Sequence, residues 1–404
     1  MQIFGRAGRP QFDSSGEAIL ITSHDAFSRY LDKLIRDVPI ESSFIKQLAD
    51  HLNAEIATGT VTNVAEGVNW LRYTYLFVRM FRNPLAYGIT ADMKMDDPSL
   101  SIKITELIKD AAKQLDHYRM ARYDPATGNF SITNLGRIAS QFYLSIETIH
   151  NFKDWLEVSD TKIFSAADLC QMVCRAQEFG NVKVRPEELD ELDKLSKDQC
   201  PLALKAPKED FSGKCCVLLQ AFISNAKVDS FTLTSDLNYV TSNAGRIARA
   251  LFEMFLKKGK ADAAVKLLRI AKSIDRRLWW FDTPLRQFEA ELPMKVYVAL
   301  ENWVDHNRRN KKTETSSFDA ALALLDMQPD EVGQLCHWFK GGERVKHFIE
   351  MLPRVNISCA VQPITRGILR FQVVLTPCWK WNPRWHGSVQ AFWLLVEDSE
   401  HSTM

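Results

Sequence analysis

Tyr239-Val-Thr-Ser-Asn-Ala-Gly-Arg-Ile-Ala-Arg-Ala-Leu-Phe-Glu-Met-Phe-Leu-Lys257 is the stretch that decides the fold class. At about 100° per residue, Ala244, Ile247, Ala248, Leu251, Phe252 and Phe255 fall on one side, so a helix over about 239–257 buries that side. Asn243, Arg246, Arg249, Ala250, Glu253 and Lys257 share the opposite arc, with Asn243 and Arg246 neighbours on its surface. From Tyr239 to Arg286 eleven Lys or Arg stand against four acids, a local surplus of seven in a chain whose net charge is only +1. No global field steers a polyanion here, and a nucleic-acid site has to come from such a patch. Positive charge with Asn nearby suits a phosphodiester backbone, which positions a strand without reading its sequence.

Outward from that helix, the pattern is mostly helical from Leu135 to about residue 352 and changes to β texture after Leu352. Residues 187–210, with eight acids against four Lys and with Pro201 and Pro207, read as an exposed connection. His306 to Lys312 reads as a solvated basic loop, and Asp319 to Val355 as a pair of short helices around Gly333 with Gly341-Gly342 as a hinge. Val355 to Val361, Gly367 to Thr376 and Ala391 to Val396 are strand-like, too few strands to close a sandwich. Trp379, Trp381, Trp385 and Trp393 could stack bases, but at this density they fit a core better.

Toward the N-terminus, a helical stretch runs to about Ala57 with Gly59 to end it. Asn63 with Glu66 starts a helix ending near Asn83-Pro84, and Asp97-Pro98 opens a third with Leu100, Ile104, Leu107, Ile108, Ala111 and Leu115 in register. Met120 to Tyr123, the turn Asp124 to Gly128 and Asn129 to Thr133 then signal a hairpin. Three helices and a hairpin describe a winged helix. The chain is thus multidomain, mainly α with smaller β parts.

The first residues carry the chemistry. Gln2-Ile-Phe-Gly-Arg-Ala-Gly-Arg-Pro-Gln11 holds two Arg, each preceded by Gly. Gly lets a backbone approach closely and Arg grips phosphate with a planar fork, so Arg6 and Arg9 could converge on one phosphate. After them Glu17 to Thr22 reads as a short buried strand and His24 to Ile35 as a helix. The sequence holds no loop of the type G-x-x-x-x-G-K-[ST]: Gly213-Lys214 is followed by Cys215, and Asp330-Glu331 falls in a helical pattern. Cys170-x-x-x-Cys174 shares one helical face, but no second pair or His completes a metal site at sensible spacing, so no metal is assigned. The eight Cys read as reduced thiols. No apolar run reaches the length of a membrane span, and the start lacks a signal-peptide pattern, so a soluble nuclear or cytoplasmic protein is expected.

Gln2, Gly5, Arg6, Gly8 and Arg9 together resemble the sixth motif of superfamily-two helicases. With Pro39-Ile-Glu-Ser42, Leu52-Asn-Ala-Glu-Ile56, Gly59-Thr-Val61, Leu135 to Ser140, Pro284 to Phe288 and Gln362 to Arg366, nearly the whole chain resembles the C-terminal half of a Ski-two-like helicase cassette with a Sec sixty-three-type domain, and Asn83 to Ile89 resembles one branch of that family. The resemblance implies residues 1–38 as the end of a second RecA-like lobe, 39–134 as a winged helix, 135–290 as a helical bundle, 291–352 as a small helical domain and 353–404 as a truncated immunoglobulin-like β-sandwich. It implies a 3′-to-5′ ATP-dependent RNA or DNA helicase. Gln2, Arg6 and Arg9 would act at the γ-phosphate, Gly5 and Gly8 would line the nucleotide, and Asn243, Arg246 and Arg249 would lie on the ratchet helix that grips a single strand. ATP and Mg²⁺ would bind through a lobe outside this chain. Implied partners are single-stranded RNA or DNA, the rest of the cassette, and subunits of a transcriptional cointegrator complex or of the spliceosome. The alternative is a non-catalytic module that docks nucleic acid or protein.

Overall fold

The structure, a computed structural model, describes residues 7–8, 11–35, 40–157, 163–311 and 316–397. Gln2, Gly5, Arg6 and Arg9 lie outside the described residues, whereas Gly8 is in the left-handed region at φ +88°. The chain divides into two compact units, residues 1–114 with 123–131, and residues 115–122 with 132–404.

In the first unit the helices are α1 (His24–Ile35), α2 (Leu48–Thr58), α3 (Val64–Arg72), α4 (Tyr75–Arg82), α5 (Ala91–Asp96) and the long α6 (Ser101–His117), which runs on past residue 114. Gly59 ends α2 with φ +80°, where its N–H reaches back to the last turn. The single helix expected between Asn63 and Asn83 is two. Asn63 caps α3 by accepting from the Glu66 N–H, and Thr74 caps α4 by accepting from Phe77, so the chain breaks at Tyr73-Thr74. The α6 register is as the periodicity predicts, with Ile104, Ile108 and Ala111 buried together with Leu52, Ile56, Leu71, Leu76 and Met80. Strands β1 (Ala121–Tyr123) and β2 (Phe130–Ile132) pair as the wing, closed by Asp124, which accepts the Ala126 N–H, and by Gly128 at φ +74°. Val64 donates to the Gly128 carbonyl, so the wing tip rests on the start of α3.

The Glu17 to Thr22 strand does not form. The segment has no strand neighbour among the described residues, and Ile19 and Ile21 are 81% and 92% exposed. An apolar run makes a strand only where a sheet edge receives it.

Glu41 ties the linker before α2 to the end of α4. It accepts from Arg79 Nε and Nη2 at 3.2 and 2.7 Å, from Asn83 Nδ2 at 2.7 Å and from the Tyr87 hydroxyl at 2.8 Å. The Arg79 bonds, with help from Asn83 and Tyr87, hold its carboxyl down at about 2 against an ordinary 4.5. A lowered folded value means stability that is complete above pH 4.5 and lost as pH falls toward 2. Glu41→Gln is therefore expected to reduce hydrogen-exchange protection of α4 at neutral pH. Its difference from the parent should close between pH 4.5 and 2.

The second unit contains α7 (Asn134–Gln141), α8 (Ile146–Leu156), α9 (Ala166–Cys174), α10 (Leu189–Asp198), α11 (Phe211–Ile223), α12 (Phe231–Lys257), α13 (Ala261–Arg276), α14 (Met294–Lys311), α15 (Ser317–Ala323), α16 (Pro329–Leu335) and α17 (Gly342–Glu350). It ends with β3 (Val355–Thr365), β4 (Ile368–Pro377) and the single turn α18 (Pro383–His386). Helices α9, α11, α12 and α13 pack into one bundle. A separate core around Leu285, Phe288, Tyr297, Leu300, Val332, Val345 and Phe348 joins α14 to α17, with Trp385 packed against it.

Several expectations are corrected here. Residues 187–210 are not an exposed connection, because most of their first half is α10. His306 to Lys311 belongs to α14 and is not a loop, while Lys312 lies outside the described residues. Three helices, not two, fill 317–350, and Gly333 lies inside α16. Gly341-Gly342 is no hinge. A Cβ on Gly342 would sit 1.8 Å from the Pro329 carbonyl oxygen, so glycine is there to let α17 touch the start of α16. β3 and β4 form a two-stranded antiparallel ribbon with a register shift at Pro363–Thr365, where proline cannot donate. Residues 391–396 are not a strand, and both ribbon faces are largely exposed.

Candidate nucleic-acid interface

Helix α12 begins eight residues earlier than its periodicity suggested, at Phe231. Its start is fixed by carboxylates from the acidic segment before it. Glu191 accepts the Asp229 N–H at 2.7 Å and the Ser230 N–H at 3.2 Å, and Glu188 accepts the Thr232 hydroxyl at 2.6 Å. Acids at a helix N-terminus satisfy free N–H groups and complement its dipole. The charge that read as solvated is spent on this junction.

Along α12 the predicted core face is correct: Ala244, Ile247, Ala248, Leu251, Phe252 and Phe255 are all buried. Ala250, placed on the outer arc, is also buried. The helix is enclosed by α9, α11 and α13 over more than one stripe, so its polar arc is narrower than an isolated amphipathic helix would show.

On that arc Asn243 and Arg246 are half-buried and do meet. The Arg246 Nε and Nη2 donate to Asn243 Oδ1 at 3.2 and 2.8 Å, and Asn243 Nδ2 donates to the Tyr239 carbonyl at 2.9 Å. Arg246 Nη1 donates at 2.7 Å to the carbonyls of both Phe142 and Tyr143. These carbonyls follow the last turn of α7, where a helix leaves acceptors unsatisfied and favours a cation. Four of the guanidinium's five donors are thereby used, and its orientation is fixed. Arg249 is exposed and paired with Asp275 of α13.

A further set of exposed cations lies on α13. Arg269, Lys272 and Arg276 recur at helical spacing on its outer face, all exposed and with no ion pair among the described residues. The two acids of the helix are occupied, Asp262 by Lys266 and Asp275 by Arg249. The sequence count included these three cations without singling them out. Their spacing of three and four was the available signal.

Trp393 meets Phe252 of α12 edge to face at 5.3 Å between ring centres and is largely exposed, and Trp381 is also exposed. Trp385 sits against Phe288 and Phe348.

Two further clusters escaped sequence reasoning. Lys214, dismissed as part of a phosphate loop, is fully buried and bonded to Glu188 and Asp236. Cys216 of α11 brings a third sulfur to Cys170 and Cys174, all within 4.8 Å of one another. Spacing along one helix could not show a ligand arriving from another. None of the helices among the described residues is long and apolar enough to cross a membrane.

Residues 132–404 match the family model of the Sec63 Brl domain. The chain belongs to the Sec63 Brl domain family. Residues 41–119 match a winged helix-turn-helix domain, a span that covers the helices of the first unit from α2 to α6 and ends just before the wing. The chain is 44% identical over 399 residues to activating signal cointegrator 1 complex subunit 3 of Bos taurus, covering 98% of this chain and 17% of that protein. It is 42% identical over 401 residues to the DExH-box ATP-dependent RNA helicase DExH14 of Arabidopsis thaliana (99% and 18%). It is 41% identical over 398 residues to the U5 small nuclear ribonucleoprotein 200 kDa helicase of Homo sapiens (98% and 18%). The chain thus spans less than a fifth of the length of these curated relatives.

Proposed function

We propose that this chain is the C-terminal part of a 3′-to-5′ ATP-dependent RNA or DNA helicase cassette. The observation that carries the reading is identity of 41 and 42% across essentially the whole chain with two proteins whose names state a helicase. In this reading residues 1–38 end a RecA-like lobe, 39–134 are the winged helix, 135–290 the ratchet bundle, 291–352 the small helical domain and 353–404 the β part. Arg6 and Arg9 reach the γ-phosphate of ATP held with Mg²⁺ by a phosphate-loop lobe outside this chain. Gln2 orients the attacking water, and Gly5 and Gly8 allow the close approach. A single strand runs along α12, with Asn243, Arg246 and Arg249 toward it, while the free cations of α13 supply field. Subunits of a cointegrator complex are the proposed protein partners, with the spliceosome as the rival assembly.

A second reading, a docking module without activity of its own, gains support from the engagement of Arg246 and Arg249 with carbonyls and Asp275. Fluorescence anisotropy with labelled single-stranded RNA and DNA separates the two. Arg246→Glu is expected to weaken binding by about tenfold, about 1.4 kcal/mol, and to lower the salt slope by about one. Equal binding by both chains, with the fold of the variant verified by circular dichroism, rejects the strand grip in favour of docking.

A further inference from the structure

We propose that Cys170, Cys174 and Cys216 form a buried three-sulfur site for a soft monovalent d10 cation, with copper(I) as the ion it fits. The site is independent of the nucleic-acid reading.

Cys170 and Cys174 are four apart on α9 and share a face. Cys216 approaches from α11, with its sulfur 3.9 Å from that of Cys170. A metal bonded at about 2.3 Å to three sulfurs in a trigonal plane separates them by about 4.0 Å. One edge of that triangle is therefore already in place. The three sulfurs lie within 4.8 Å of one another, so the other edges need to close by less than about 1 Å, within the reach of side-chain rotation.

The donor set selects the ion. It contains three sulfurs and neither carboxylate nor imidazole, and its residues are at most 1% exposed. Hard cations want oxygen, and zinc takes four ligands, whereas three soft donors in a dry core suit a low-coordinate thiophilic ion. The nearby Cys200 thiol is directed to the Val217 carbonyl at 3.9 Å. Gln220 Nε2 lies 3.5 Å from Cys216 Sγ, a donor that supports negative charge on that sulfur. An ion here would also offset the cost of burying thiolate charge.

Binding forms copper–sulfur bonds and displaces a proton from each thiol that binds as thiolate, with no change of oxidation state, so affinity rises with pH. It would clamp α9 to α11, two walls of the bundle around α12, and stabilise the folded chain by mass action.

The test is anaerobic titration of the fully reduced chain with copper(I) against a competing chelator. One ion per chain is expected, at equal affinity in the parent and in Cys215→Ala, which removes a buried thiol of the same helix outside the triad. In Cys216→Ala affinity should fall at least tenfold. Cys170→Ala carries the same prediction should Cys216→Ala not fold. X-ray absorption of the loaded parent should show three sulfur neighbours. Equal affinity in the triad variants, which would place the ion on the accessible Cys359 or Cys378, overturns the proposal, as does a two-sulfur shell or the absence of tight binding.

Discussion

Lys214→Met should destabilise the second unit by about 3 kcal/mol, at the lower end of the range for breaking a buried ion pair by removing one partner. The Lys214 ammonium is 0% exposed and uses all three of its donors, on Glu188 at 2.5 Å, Asp236 at 2.7 Å and the Lys183 carbonyl at 2.8 Å. Deleting the charge leaves Glu188, 1% exposed, and Asp236 facing each other across Arg185, which bonds to both at 2.5 and 3.3 Å. That arginine and the Thr232 hydroxyl keep the loss from being larger. The cluster joins the turn before α10, the first turns of α11 and the start of α12, so unfolding it frees the N-terminal half of the long helix. At about 2 °C per kcal/mol for a unit of this size, the melting temperature should drop by roughly 6 °C. Lys227→Met, which removes a fully solvated partner of Asp229, should change stability by less than about 0.5 kcal/mol.

Acid discriminates this mechanism from simple loss of packing. Burial pushes the Glu188 carboxyl up, but hydrogen bonds from Lys214, Thr232 and Arg185 outweigh it and hold the group at about 2, below its ordinary 4.5. Its contribution is present above pH 4.5 and lost as pH falls toward 2. Without Lys214 the carboxyl protonates earlier and gives up less, so the gap between parent and variant should narrow across that window. A gap that stays constant would assign the effect to the lost methylene packing.

What the sequence makes legible follows the range of the forces involved. The α6 register, the wing turn at Asp124 to Gly128 and the core face of α12 are set by neighbours within a turn or a hairpin, and all were readable. The failures are places where a partner distant in sequence decides. Glu17 to Thr22 has strand composition but no sheet edge among the described residues to complete it. The acids of 187–210 look solvated until Lys214 and the start of α12 are placed beside them. Ala250 looked outward because a periodicity knows nothing of how many helices surround it.

The candidate site shows the same division. The arc bearing Asn243, Arg246 and Arg249 follows from a helical wheel. That Arg246 is folded back onto the end of α7 depends on Phe142 and Tyr143 more than a hundred residues away. Glu41 makes the converse point. Pro39-Ile-Glu-Ser42 and Asn83 to Ile89 were two separate runs of the family resemblance, and the fold brings them into one cluster through Asn83 and Tyr87.

The other large effect expected is on catalysis. In a chain that joins these residues to a phosphate-loop lobe, Arg6→Lys or Arg9→Lys should cut ATP turnover about a thousandfold, the lower end of what an arginine finger contributes. That factor is about 4 kcal/mol of barrier. Lysine keeps the charge but not the planar fork, so the loss measures geometry around the transferring phosphoryl group and not the local field. Binding of single-stranded RNA should stay within about twofold of the parent, because these residues are proposed to touch nucleotide and not strand. Arg246→Glu should behave in the opposite way, with turnover in the absence of nucleic acid nearly unchanged and the RNA concentration needed for stimulation raised about tenfold. The two patterns come from residues more than two hundred positions apart and are separable in one steady-state ATPase titration. Full turnover in both finger variants would remove the motor reading and leave the docking module, whereas a thousandfold loss with intact RNA affinity would fix Arg6 and Arg9 at the γ-phosphate.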